Sequence, residues 1–218
     1  MLNEYKEVYQ GSIGEIVEKK SRFIATIQPI KTEENALEFI EKTKKKYLNA
    51  THNCFAYTIG MKHELTRCSD DGEPSGTAGK PMLDILLGED LHNVAVVVTR
   101  YFGGTLLGTG GLIRAYQSAV KEGLLHAIVA LKNLGSRLQI TTNYNEIGKL
   151  QYTAAQLGLW VEDTIYTDVV NVSLLVPFDK LSEFTKKWTT ITNGNDHINN
   201  LGNVYFAKID SQIIVFEE

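Results

Sequence analysis

An arginine, two aromatics and a cluster of glycines stand together at residues 100–111 of this 218-residue chain: Arg100, Tyr101, Phe102, then Gly103, Gly104, Gly108, Gly110 and Gly111. Arginine can grip a phosphate through parallel hydrogen bonds, and an adjacent ring offers a stacking face to an unpaired base. A glycine-rich run that opens a helix presents backbone N–H groups to an anion. The stretch Asp70 to Lys80, DDGEPSGTAGK, supplies further glycines, the hydroxyls of Ser75 and Thr77, and the Lys80 charge. These residue types predict a nucleic-acid or anion site built from His52, Asp71, Ser75, Thr77, Lys80, Arg100, Tyr101, Gly103, Gly104, Gly110, Gly111 and Arg114.

Several sharper chemistries fail on spacing. A P-loop needs glycine five positions before Gly79 and a hydroxyl after the lysine; Pro74 and Pro81 occupy those places. Gly108 and Gly110 are followed by Ile113 rather than a third glycine, so no dinucleotide fingerprint forms. Asp70, Asp71 and Glu73 lack calcium-loop spacing. His52, Cys54 and Cys68 fall short of a zinc set, His63, His92, His126 and His197 are scattered, and no serine sits in a nucleophile elbow. No catalytic residue, metal or cofactor is assigned. Strand alternation places Arg100 and Phe102 on one side and Tyr101 on the other. Arg100 then serves a phosphate or neutralises Asp70 or Asp71, Phe102 reads as core, and Lys42 to Lys46 read as a solvated helix face.

The elements that hold these residues follow from periodicity. Asn93 to Thr99 is apolar on both faces, as a central strand covered on each side would be. Leu112, Ala115, Tyr116, Ala119 and Val120 recur at helical spacing after the glycines. Residues 8–17 and 21–30 read as a hairpin turned at Glu18 to Lys20, and Thr32 caps a helix bearing Ala36, Leu37, Ile40 and Tyr47. Cys54 to Ile59 reads as a strand, and Pro81 starts a short helix that Gly88 stops. A second unit begins near Gly135 after a short linker at 131–135. It reads as a strand at Leu138–Thr142, a helix entered at Asn143 and ended by Gly158, strands at Trp160–Thr167 and Val169–Val176, a helix with Leu181, Phe184 and Trp188, and a strand within Asn203–Phe216. That order is βαββαβ, a ferredoxin-like sandwich.

Composition bounds the rest. Hydrophobic residues make up 43% and charged residues 22%, an ordinary globular balance. The start MLNEYKEVYQ lacks the basic and apolar segments of a signal peptide, no run approaches a membrane span, and two cysteines suit a reduced, cytoplasmic setting. The net charge of −4 argues against a general nucleic-acid-coating protein, yet residues 1–137 carry +1 and residues 138–218 carry −5. Phosphate contacts therefore belong to the N-terminal part.

TRYFGGTLLGTGGLIRAY, with DDGEPSGTAG upstream and HNCFAY at His52–Tyr57, resembles the signature of the IMPACT N-terminal domain family, bacterial YigZ-type branch. The resemblance implies an α+β protein of two domains, residues 1–132 and 136–218. The first is a ribosomal-protein-like α/β sandwich, as in domain four of elongation factor G, and the second is ferredoxin-like. It further implies a translation-linked regulator with RNA or a ribosome-associated protein as partner and no established reaction. Eukaryotic members restrain a translation-initiation-factor kinase by competing for its activator and carry an extra N-terminal domain that the first twenty or so residues here are too few to encode, so partner and pathway are not carried over. An alternative is a kinase-like enzyme holding nucleotide at the glycines, with Asp70 or Asp71 as base or magnesium ligand; another is a protein-interaction module.

Overall fold

The computed structural model describes residues 2–216, which form two compact units, the first spanning Tyr5–Ala130. Along the first unit run β1 (Glu4–Gln10), β2 (Ser12–Glu18), β3 (Ser21–Pro29), α1 (Glu33–Lys46), β4 (His52–Ile59), β5 (Leu65–Ser69), α2 (Gly79–Gly88), β6 (Leu91–His92), β7 (Val94–Tyr101) and α3 (Gly108–His126). Five strands make an antiparallel sheet in the order β2-β3-β7-β4-β5, which puts β7 at its centre. The double-sided apolarity of that strand is used in full. Val94, Val96 and Val98 enter the core under α2 and α3, while Ala95 and Val97 enter a second core under α1.

Local chemistry accounts for most boundaries. The Thr32 hydroxyl accepts from Asn35 N at 3.3 Å and caps α1, whose first turn carries Glu33 and Glu34 and whose last turn carries Lys44 to Lys46, matched to the helix dipole. Four expectations need correction. Residues 8–17 are two strands broken at Gly11, because β1 leaves to pair in parallel with β6 and a Cβ at Gly11 would stand 2.2 Å from Ile27 O. β5, only five residues long and half exposed, carried too little periodicity to be read. Leu37 is half exposed, and Phe39 and Thr43 fill the buried stripe of α1 instead. No loop forms at 131–135, since those residues lie inside the fifteen-residue strand β8 (Ile128–Thr142).

The second unit continues with α4 (Ile147–Leu157), β9 (Trp160–Tyr166), β10 (Val170–Pro177), α5 (Phe178–Ile191), β11 (Ile198–Ile209) and β12 (Gln212–Phe216). Its strand order is β12-β11-β8-β10-β9, antiparallel throughout. This is the ferredoxin-like order with one edge strand added, because the closing strand folds back as a hairpin at Asp210. Leu150 and Ala154 of α4 and Phe184 and Trp188 of α5 pack on one face of the sheet with Leu138, Ile140 and the inward valines of β10. Gly158, at φ 61°, ends α4 as expected. Among the described residues no helix is long and apolar enough to cross a membrane.

Candidate functional site

At the C-terminal end of β7 the first unit opens into a cleft of about 440 Å³. Thr51 and His52 at the start of β4, Gly72 to Pro74 of the acidic loop, Arg100 and Phe102 beyond β7, and Leu106 to Thr109 with Leu112 at the start of α3 surround it. The two glycine-bearing loops, separated by a helix and two strands in sequence, therefore meet at one place.

A buried polar network forms the floor. Glu73 and Arg100 are 8% and 5% exposed, and Glu73 Oε1 accepts from Arg100 Nη1 at 2.6 Å and from Tyr116 O–H at 2.7 Å. The Cys54 thiol donates toward Tyr116 Oη at 3.3 Å and toward Asp70 O at 3.0 Å. Burial pushes the Cys54 thiol up to about 12, with the nearby carboxylates adding to it, and burial likewise drives the Tyr116 phenol up. Thiol and phenol thus stay protonated and act as donors, not nucleophiles. The His52 Nδ1–H donates to Asp71 O at 2.8 Å, since a carbonyl only accepts, and this leaves Nε2 facing Glu73 Oε2 at 3.9 Å.

The acidic loop is built around its own carboxylates. Asp70 accepts from Gly76 N, Ala78 N and Gly79 N at 2.8, 3.0 and 2.9 Å. Burial acts to raise its pKa, but the three backbone N–H groups outweigh it and hold the carboxyl below the usual range. The N–H groups that would cradle a phosphate are already occupied by an internal anion. Asp71, in a left-handed conformation at φ 43°, accepts from Asn53 N at 2.7 Å and pairs with Lys44 at 3.2 Å. Both aspartates tie the loop to β4, α1 and α2.

Of the residues expected at the site, His52 and Arg100 line the cleft. Arg100 is neutralised by Glu73 rather than by Asp70 or Asp71. Phe102, expected in the core, is 47% exposed at the rim with the Arg100 guanidinium 5.6 Å from its ring. Tyr101 lies on the opposite side, under the Arg22 guanidinium. Lys80 pairs with Asp84 on the exposed face of α2, and Arg114 is exposed on α3; neither lines the cleft. Asp71 and Thr77 are structural, the latter donating to Pro74 O at 2.6 Å, and Ser75 is exposed on the loop. Gly103 lets β7 pass the β2–β3 turn, where a Cβ would stand 2.1 Å from the Lys20 carbonyl carbon. Gly104, at φ 84°, turns the chain toward α3, and Gly110 and Gly111 form its first turn. That helix start has no side-chain cap, and Leu107, Gly108 and Thr109 there line the cleft.

Sequence reasoning missed Glu73 as the partner of Arg100, Tyr116 as a polar member of the floor, and Leu106 and Leu107 as cleft walls. A tyrosine on an apolar helical stripe signals that its hydroxyl needs a partner. Which of three neighbouring acids supplies it is not a local property.

Residues 19–124 match the model of the Impact N-terminal domain, and residues 140–195 match a domain of unknown function, DUF1949. The chain is 40% identical over 213 residues to IMPACT family member YvyE of Bacillus subtilis (strain 168), covering 98% of each. It is 33% identical over 179 residues to IMPACT family member YigZ of Escherichia coli (strain K12), covering 81% of this chain and 88% of that protein. A solved structure described as a hypothetical protein aligns with TM-score 0.59 and 29% identity over 93% of this chain and 99% of its own.

Proposed function

Because the chain belongs to the IMPACT family, we propose that it is a cytoplasmic, non-catalytic, translation-associated regulator whose Tyr5–Ala130 unit binds an unpaired segment of RNA at the β7–α3 cleft. The observation that carries this reading is Phe102, a large apolar ring left 47% exposed at the rim of a cleft whose far wall is an uncapped helix start. A base stacks on Phe102 against exposed Leu106, and the following phosphate meets the N–H groups at the start of α3. Arg100 acts from beneath, holding the aromatic rim in place while Glu73 cancels its charge. Affinity consequently comes from stacking and backbone donors more than from cationic side chains. The motif resemblance to a translation-linked family and the +1 balance of residues 1–137 support the same reading.

Fluorescence anisotropy with short single-stranded RNA oligomers tests it. Phe102→Ala removes one stacking platform and is expected to weaken binding about 5- to 150-fold, the equivalent of ~1–3 kcal/mol. The salt dependence should be shallow, well below the ~0.7 log units per log unit of salt that each phosphate neutralised by a lysine or arginine would give. Lys80→Ala, away from the cleft, should change little. Full affinity in Phe102→Ala, or no binding by the unaltered protein, rejects the assignment.

A further inference from the structure

Away from that cleft, the turn between β4 and β5 meets the junction between α2 and β6, and three side chains with metal-binding atoms converge there. His63, Asp90 and His92 each offer one ligand atom, all within 4.8 Å of one another. His63 Nε2 and His92 Nε2 lie 3.3 and 3.4 Å from the same atom, Asp90 Oδ1. The two imidazole rings stack with centroids 4.2 Å apart and planes 14° from parallel, which brings both Nε2 atoms against that oxygen.

The protonation logic makes this more than proximity. His92 is 2% exposed, and its Nδ1 lies 3.1 Å from Gly60 O. A carbonyl oxygen accepts only, so Nδ1 carries a proton, and whenever the ring is neutral Nε2 is a bare lone pair. That atom is buried without a hydrogen-bond partner, and the polar group it faces is a carboxylate, also an acceptor. Around the neutral ring two lone pairs face each other where buried His92 meets the exposed carboxylate of Asp90, and either a proton or a metal cation between them relieves the repulsion. His63 is also held through Nδ1, 2.7 Å from the hydroxyl of fully buried Thr58, a group that can donate or accept, while its Nε2 hydrogen-bonds Asp90 Oδ1. A ring fixed through Nδ1 by a neighbouring oxygen, with Nε2 presented outward, is the usual support of a metal-binding histidine. His63 and Asp90 are both held in left-handed backbone, at φ 53° each, which aims their side chains at the same point.

We propose that His63, Asp90 and His92 form a zinc site. Ligand atoms about 2.0–2.2 Å from a tetrahedral zinc lie roughly 3.4 Å apart, which matches both distances to Asp90 Oδ1. Two imidazoles and one carboxylate, with no thiolate, suit a borderline divalent ion of the first transition row and leave the fourth position to water on the exposed Asp90 side. The ion would clamp the Gly60–Glu64 turn to the end of α2. This site is independent of the RNA reading, since none of its residues lines the β7–α3 cleft.

The test uses the full chain stripped with a chelator and titrated with Zn²⁺ alone, by calorimetry and by competition with a chromophoric chelator. One equivalent should bind, and Zn²⁺ should raise the melting temperature in the unaltered protein. Because buried His92→Ala endangers folding, the deciding variants are Asp90→Asn and His63→Ala at the more exposed positions. Each should weaken Zn²⁺ at least 10-fold and abolish the thermal shift while keeping the native circular dichroism spectrum. Absence of saturable one-to-one binding at micromolar Zn²⁺, or undiminished affinity in both variants, overturns the proposal.

Discussion

The Arg100 guanidinium and the Glu73 carboxylate meet at 2.6 Å with both side chains almost wholly buried, so desolvation rules their energetics. Removing one partner strands the other as a buried charge, which costs more than the pair itself contributes. Arg100→Met is therefore expected to destabilise the protein by about 3–5 kcal/mol. Adding Glu73→Gln, which keeps an acceptor for the Tyr116 hydroxyl, should return a large part of that loss. Urea unfolding of the single and double variants measures the coupling, and additive losses would contradict it. The same residue shows why mutation of Arg100, of a type that can pair with phosphate, is a poor probe of RNA binding here: its loss disturbs the floor of the cleft before any ligand arrives.

Between elements, the close approach of β2 to α3 rests on glycine. A Cβ on Gly14 would stand 2.6 Å from Gly123 N and 2.7 Å from the Glu122 carbonyl carbon, and one on Gly123 would stand 2.8 Å from Ile27 Cδ1. Backbone blocks the first substitution, so Gly14→Ala must push α3 off the sheet and is expected to cost about 1–3 kcal/mol. Gly88, in the last turn of α2, has no atom within 4 Å of its Cβ position. Alanine there should be neutral or add about 0.5 kcal/mol through the unfolded chain. Denaturation midpoints of the two variants shifting in the same direction would refute this account. α3 also carries the cleft wall at its other end, so the Gly14 variant should weaken RNA as well.

Across the whole molecule, the apolar clusters under α1, α2 and α3 and the cluster under α4 and α5 share no residue. A functional boundary at residue 132 is proposed on that basis. The fragment 1–132 should fold and keep most of the RNA affinity of the full chain. Without the net −5 carried by residues 138–218 it should bind slightly tighter at low salt, an advantage that screening removes at high salt. Anisotropy of fragment and full chain at two salt concentrations checks this. A folded fragment that fails to bind what the full chain binds would move the site out of the first unit.

What the sequence determined by itself is everything that depends on period and on near neighbours. β7 was legible because five consecutive apolar residues need cover on both faces, α1 because Thr32 and its charges cap it locally, and the second unit because its βαββαβ order leaves one economical sheet. The meeting of the two glycine-bearing loops was legible only as two separate loops. Tertiary structure alone decided that Glu73, not Asp70 or Asp71, neutralises Arg100, that Phe102 stays at the rim, and that Lys80 and Arg114 face elsewhere. It also decided that His63 and His92, apart in sequence, stack on one another. The physical reason is common to all of these. Pairing between buried charges and lone pairs depends on the positions of several elements at once, and no periodicity along the chain records which partner lies across the fold.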